Sequence, residues 1–481
     1  MEGSLKEKTA KGLFWGGLNS GATQVLNLVF GIFLGRLLST EDYGLVALIT
    51  IFTLLAGCIQ SAGFSQALAN LKPPTQRDYN AVFWFNIMAG FGLYALLFFC
   101  APLIAWFFEQ PLLTDVSRLA FLTIPLSAIC IVPNAKLWIE LRNREQAIAN
   151  LTALLVSGVL GVWLAWNEWA YWSLVWQQLT FIIVATILKY LFTKWTPTLP
   201  VDFMPIRRML RFSSKVLLTN MLTIISQNVL TFIFGKLLPV STVGLFNQAN
   251  KWNTMGGSVV SNTMAQVAQP VLASVSDEEG RQERVFRKML RFTSFCSFPL
   301  MFGLALVAYE FILLTVGPKW EDCVVLLQIL CIGGACLPLH TLYQNAIISN
   351  GRSDIFLWMV SSQIVLQIAI ALCLMPMGIT VVVMAFSILN VLLTFGWHVV
   401  LRHIRRISLM EALRDTLPFA LIAAGCMVVT WLLTSWTEVL WLRLLLRVVI
   451  AVLLYLGMMK LLRVKTLDEC IAFVFKKTSA P

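Results

Sequence analysis

Charge is scarce in this sequence. Asp, Glu, Lys and Arg make up 12% of the 481 residues, about half the roughly 25% usual in a soluble domain. Long polar stretches are missing too, and the loops on one side of the apolar runs are as short as STED at 39–42, NEW at 167–169 and PM at 376–377. These loops leave no room for the external domain in which membrane enzymes that polymerise or ligate glycans carry catalytic acids and bases. There is no GxxxxGK[ST] phosphate loop, no Gly-rich nucleotide loop in a βαβ setting and no metal-spaced cluster of His and Cys, so neither ATP hydrolysis nor any enzymatic activity, cofactor or metal is expected. The 10 cysteines form no paired CxxC array and read as small packing residues.

Apolar sequence is abundant, at 58% of the chain. It comes in runs of about 18 residues or more, each able to cross a hydrocarbon layer of roughly 30 Å at about 1.5 Å per residue. Lipid admits only helices or a closed barrel, and these runs are twice the length of barrel strands and do not alternate in polarity. The expected fold is an all-α polytopic membrane protein of about 14 transmembrane helices, at 12–37, 43–66, 80–108, 118–140, 146–166, 170–193, 212–238, 243–270, 292–316, 324–349, 355–376, 379–401, 415–436 and 440–462. The start carries Lys6, Lys8 and Lys11 and no small-residue cleavage site, so it reads as a retained first helix. Most of the 36 Lys and Arg fall on the N-terminal side, while the opposite loops hold Arg36, Arg118, Lys236, Lys319 and Arg443. Both termini are therefore expected in the cytoplasm. Anchoring beside anionic membrane lipid accounts for the net charge of +12 without nucleic acid.

Residues 35–45, GRLLSTEDYGL, match residues 235–245, GKLLPVSTVGL, at five positions with one Arg/Lys exchange, and Thr23/Thr223 and Val29/Val229 extend the register. This repeat implies two pseudo-symmetric six-helix bundles in the same orientation, as in transporters whose halves rock around a central site. The expected organisation is a first bundle at 1–200, a second at 201–410, and two additional helices with a cytoplasmic tail at 411–481. The Pro-containing basic segment from Lys194 to Arg211 is the expected linker.

Polar residues recur at helical spacing inside the apolar runs. Asn19, Thr23 and Asn27 share one face, as do Asn247, Lys251, Asn262 and Gln266, and Asn220 and Gln227 occupy the seventh helix. Such stripes line water-filled cavities or bond neighbouring helices. Lys136, Lys215 and Lys251 lie within spans, and Arg36 and Lys236 are equivalent in the repeat, so buried cations outnumber anions and suit an anionic cargo such as pyrophosphate. Lys251 leads, being on the stripe; for Arg36, Lys236 and Lys215, each taken alone, snorkelling is the first reading and contact with the cargo the second. For His340, core packing is the first reading and a proton relay the second.

RLLSTEDYGLVAL at 36–48, SAGFSQAL at 61–68, NAVFWFNI at 80–87, GLFNQANKW at 244–252, PVLASVSDEEGRQERVFRKMLR at 270–291 and VGPKWEDCVVLLQIL at 316–330 together resemble the polysaccharide transporters, the Wzx-type flippases of the multidrug, oligosaccharidyl-lipid, polysaccharide superfamily. The resemblance implies a cationic cavity between two bundles that moves an oligosaccharide on undecaprenyl pyrophosphate across the bacterial inner membrane by alternating access. Lipopolysaccharide O-antigen, capsule or exopolysaccharide synthesis would be served, with a polysaccharide polymerase and export machinery as partners. The matching positions are Arg36, Glu41, Asp42, Tyr43 and Gly44, and Lys236 and Gly244 in the second copy. Leu230 stands where many members have an acid. The rival expectations are a cation-coupled drug antiporter or a lipid II flippase of the same superfamily, and a membrane glycan polymerase or ligase.

Overall fold

The computed structural model describes residues 2–71, 74–199, 202–275, 279–405 and 407–469, and the side chains of residues 2–14, 210–212, 215 and 279, together with Lys72 and Pro200, lie outside what is described. The described residues form helices and no strand. In chain order they are α1 (Glu2–Leu37), α2 (Thr40–Ser61), α3 (Phe64–Asn70), α4 (Gln76–Phe107), α5 (Leu113–Ala120), α6 (Thr123–Ile139), α7 (Asn143–Trp166), α8 (Trp172–Thr193) and α9 (Met204–Leu237). They continue as α10 (Val240–Ser274), α11 (Glu279–Thr315), α12 (Cys323–Gly334), α13 (Leu337–Ser349), α14 (Ser353–Leu374), α15 (Ile379–Ile404), α16 (Leu409–Thr434) and α17 (Leu440–Leu461). Three pairs, α2/α3, α5/α6 and α12/α13, each make one long span with a short break. The first break falls at Ala62 and Gly63, both at positive φ (43° and 70°).

Thirteen of these segments are long and apolar enough to cross a membrane. The fourteenth expected span, 243–270, is present as α10 but is not among the thirteen. Its sequence is diluted by Asn247, Lys251, Asn262, Gln266 and other polar residues.

STED does not form the expected loop. Ser39 is the N-cap of α2: Asp42 N–H donates to Ser39 Oγ at 3.1 Å, and Ser39 N–H donates to Asp42 Oδ2 at 2.8 Å. This reciprocal capping box satisfies helix-end donors that lipid would leave bare. Two residues on, a methyl group at Gly44 would run into the Val240 carbonyl, while one at Gly244 would run into the Thr40 carbonyl. The contact is reciprocal at the repeat offset, 44 on 240 and 244 on 40, which explains why both copies carry glycine there.

Contacts group the chain into Met1–Gly244 and Leu245–Pro481, so α9 belongs with the first group although the sequence reading begins a second bundle at 201. In the first unit α7 packs on α1 and α8, α6 on α4 and α8, and α9 on α2. In the second, α16 and α17 pack on α11 and on each other. Two charge clusters pin them to α11. Arg287 bonds Asp415 at 2.7 Å and Glu411 at 2.8 Å, and Glu310 pairs with Arg447 at 2.7 Å and Arg443 at 2.5 Å. Arg287 and Glu310 are about 35 Å apart along α11 by helical rise, so the pins sit at opposite ends of the span.

Candidate functional site

Helices α1, α2, α6, α7 and α8 of the first unit surround a cavity of about 780 Å³. Asn19, Thr23 and Asn27 line it from α1 at steps of four, so a single face of that helix supplies three polar groups. Thr123 and Ser127 face it from α6, Asn150 and Ser157 from α7, and Gln177 and Gln178 from α8. Every polar lining side chain is a neutral amide or hydroxyl. Asn19 Oδ1 is buried without a hydrogen-bond partner among the described residues, leaving an acceptor for a donor not supplied by the protein.

A buried amide chain stiffens the wall. Ser127 Oγ donates to Gln60 Oε1 at 3.2 Å, Gln60 Nε2 donates to Asn86 Oδ1 at 2.8 Å, and Asn86 Nδ2 donates to the Val82 carbonyl at 2.7 Å. The chain joins α6, α2 and α4. Gln60 and Asn86 are 2% and 0% exposed, so loss of Gln60 orphans Asn86. Gln60→Leu is expected to cost about 1–3 kcal/mol, read as a lowered thermal midpoint in detergent; a midpoint equal to that of the unaltered protein would show that the chain does not hold the wall.

Of the residues singled out from sequence, Asn19, Thr23 and Asn27 come together on this cavity. Arg36, Lys136, Lys236 and Lys251 do not line it, and the Lys215 side chain lies outside the described residues. Lys136 stands 3.9 Å from Glu140, which is also 3.7 Å from Arg142, at the end of α6. Lys236 bonds Glu109 at 2.7 Å and lies 5.3 Å from the Phe107 ring centroid. Its ammonium holds the Glu109 carboxyl below the ordinary glutamate value, although a pair this exposed contributes little to stability. Arg36 is exposed, and Lys251 is half-buried beside Trp252 on α10. Asn220 and Gln227 are exposed on α9, Asn262 and Gln266 are exposed on α10, and Asn247 is half-buried. His340 is buried, with Nε2 3.0 Å from both the Asn390 carbonyl and Thr394 Oγ1.

Sequence reasoning passed over Ser127, Asn150, Ser157, Gln177 and Gln178, although Thr123/Ser127 and Asn150/Ser157 stand at helical steps of four and seven. It also passed over Lys189, which is 7% exposed and donates to Asn134 Oδ1 at 2.9 Å. Near the end of a span, Lys189 looks like one more snorkelling lysine.

A second cavity, of about 640 Å³, lies within the second unit between α10, α11, α16 and α17. Phe295, Pro299, Leu304, Val448, Val452 and Leu456 are among its mostly apolar lining, and Arg447 is its one charged group among the described residues.

The fold is shared with a solved lipid II flippase, MurJ, in an inward closed conformation, at a TM-score of 0.75, 15% identity, and 91% coverage of this chain and 97% of that one. Among sequence relatives, an uncharacterized membrane protein in the cps region of Klebsiella pneumoniae is 27% identical over 345 residues, 69% of each chain. The lipopolysaccharide biosynthesis protein WzxC of Escherichia coli (strain K12) is 22% identical over 359 residues, 73% of this chain and 72% of that one. The family of polysaccharide biosynthesis proteins matches residues 33–325. That is more than half of the chain, and this multi-pass membrane protein belongs to the polysaccharide biosynthesis protein family.

Proposed function

We propose that the protein is a flippase that moves a lipid-linked oligosaccharide across the cytoplasmic membrane by alternating access, for the synthesis of a surface polysaccharide. The observation that carries this is the amide- and hydroxyl-lined cavity among membrane helices. A sugar presents hydroxyl donors and acceptors in every direction, and neutral amides exchange hydrogen bonds with them without the desolvation penalty of a charged wall. A cationic drug would instead favour carboxylates, and no Asp or Glu lines the cavity among the described residues. The exposed Asn220 and Gln227 on α9, and Asn262 and Gln266 on α10, fit helices bathed by a hydrophilic passage, because lipid cannot bond an exposed amide.

The carrier is proposed to be undecaprenyl pyrophosphate. Its isoprenoid chain suits the apolar cavity of the second unit, and Lys251 leads the cations drawn to its pyrophosphate, followed by Arg36, Lys136, Lys215 and Lys236. With the basic loops inside, both termini face the cytoplasm.

Reconstitution in liposomes with a lipid-linked oligosaccharide tests the reading. A membrane-impermeant glycosidase should cleave the glycan only as it appears on the outer leaflet. Asn27→Leu combined with Gln178→Leu, both exposed on the cavity, is expected to slow that appearance tenfold or more at an unchanged thermal midpoint, and Lys251→Ala to slow it as well. Liposomes holding the unaltered protein that expose glycan no faster than empty ones would sink the proposal.

A further inference from the structure

The chain has 3 histidines. His403 is exposed at the end of α15, whereas His340 on α13 and His398 on α15 are 4% and 2% exposed within the second unit. Ionisable side chains at such depth are costly to keep and mark ion or proton paths when they are not fully satisfied. His340 Nε2 faces the Asn390 carbonyl and Thr394 Oγ1, each at 3.0 Å, while Thr394 donates its own hydroxyl proton to that carbonyl at 3.2 Å. Nε2 therefore meets two acceptors and must carry a hydrogen.

One turn along α13, the Tyr343 hydroxyl is 3.2 Å from His398 Nδ1, with the two rings nearly perpendicular at 5.9 Å. This contact survives a change of protonation. With His398 neutral, the phenol O–H donates to Nδ1; with His398 an imidazolium, Nδ1–H donates to the phenol oxygen. His398 Nε2 is buried with no hydrogen-bond partner among the described residues, and so is the side-chain oxygen of Asn390. Whichever nitrogen of neutral His398 carries the hydrogen, one polar group of its ring is left bare. Packing alone does not account for a histidine held in that state.

The surroundings bias the pair from both sides. Arg402, four residues along α15, is a cation near His398, and Asp415 of α16 is an anion near Tyr343. Asp415 is itself bonded to Arg287 of α11 at 2.7 Å and lies 3.8 Å from Arg291. Cys336, at the start of α13, bonds Thr394, and Cys331 is the buried thiol nearest to it on α12 in sequence. From α11 and α14 come neutral rings, Phe286 against Tyr343 and Phe356 against Trp397. One turn beyond Tyr343 and His398, a crevice of about 10 Å³ lined by Glu283, Phe286, Ala346, Leu401 and Arg405 has room for about one water.

We propose that His398, positioned by Tyr343 and with His340 one turn above, is a proton-binding site of the second unit, and that its loading biases the conformation during transport. With Tyr343 donating to Nδ1, neutral His398 carries its hydrogen on Nε2; a proton from water adds to the Nδ1 lone pair as the phenol turns from donor to acceptor, forming an imidazolium, and its loss from Nδ1 restores the neutral ring, with no other bond made or broken. The bias on transport rests on the flippase reading above, whereas the proton site does not.

Full-length protein labelled with ¹⁵N only in histidine tests the site directly, since ring-nitrogen signals from just 3 histidines are expected and His403→Gln and His398→Gln assign them. His398 should pass from neutral ring to imidazolium as the pH falls from about 8 toward the lowest pH at which the protein stays folded, and Tyr343→Phe should move that midpoint. Both buried rings staying neutral over the whole range would overturn the proposal, as would a Tyr343→Phe midpoint identical to the unaltered one. In liposomes, a pH difference across the membrane should change the glycan transport rate several-fold for the unaltered protein and leave His398→Gln unaffected. If His398→Gln does not fold, Tyr343→Phe carries the same comparison with a reduced response. A gradient response equal to that of the unaltered protein overturns the coupling. Absence of transport by the unaltered protein overturns the flippase reading and the coupling with it, while the titration decides the proton site separately.

Discussion

Glu310→Gln is expected to destabilise the protein by about 3–5 kcal/mol, the cost of leaving buried charge uncompensated. Glu310 is 1% exposed and is shared by two guanidinium groups, Arg443 at 2.5 Å and Arg447 at 2.7 Å. Arg447 also donates to the Leu306 carbonyl at 2.9 Å and to Thr434 Oγ1 at 3.3 Å, so it is held in place when the carboxylate is neutralised. Two cations would then remain inside the helix bundle with no anion between them. Against a total stability of roughly 5–15 kcal/mol, that loss removes much of the folded protein. Thermal unfolding in detergent measures it. Glu310→Leu combined with Arg447→Leu should recover part of the loss because one charge of each sign is removed together. An unchanged midpoint for Glu310→Gln would mean that the cluster does not hold α17 to α11.

Gly244→Ala is expected to be destabilising where helix propensity alone predicts a gain of up to about 1 kcal/mol. The added methyl group meets the Thr40 carbonyl, and a backbone atom at the start of a capped helix has no rotamer through which to yield. Overpacking of this kind costs about 1–3 kcal/mol. Gly44→Ala should behave alike, since its methyl group meets the Val240 carbonyl. Gly92→Ala and Gly425→Ala have no atom within 4 Å of the new methyl group and serve as controls that should be neutral or slightly stabilising. Export of surface polysaccharide by a strain carrying each variant gives the functional readout. Equal midpoints for Gly244→Ala and Gly92→Ala would remove the reciprocal contact from the account of why both repeat copies carry glycine.

Much of the helical scaffold was legible without coordinates, and the exceptions have local reasons. The eighth segment is a helix even though it is not among the spans apolar enough to cross a membrane, because its polar residues keep a helical step: Asn247, Lys251, Asn262 and Gln266 share a stripe. STED was misjudged as a loop although S-x-x-D is itself a capping signature; its position between two apolar runs outweighed the pattern. In the candidate site, Asn19, Thr23 and Asn27 share one face of α1 by their period, and that face lines the cavity. Their counterparts on α6, α7 and α8 were not legible, because isolated Ser, Asn and Gln residues in apolar runs look alike whether they face a cavity or a neighbouring helix.

The sequence by itself determined that the chain is built of membrane-length helices, the faces on which polar residues gather, and the glycines at the repeat. These follow from requirements met within a few residues, since in lipid every backbone donor must bond inside its own helix and each face is set by the 3.6-residue turn. Only the tertiary structure decided which charges neutralise one another. Lys236 is engaged by Glu109, and Glu310 by Arg443 and Arg447, partners more than a hundred residues away in the chain. Neutralisation is a matter of a few ångströms in space, and separation along the chain does not encode it.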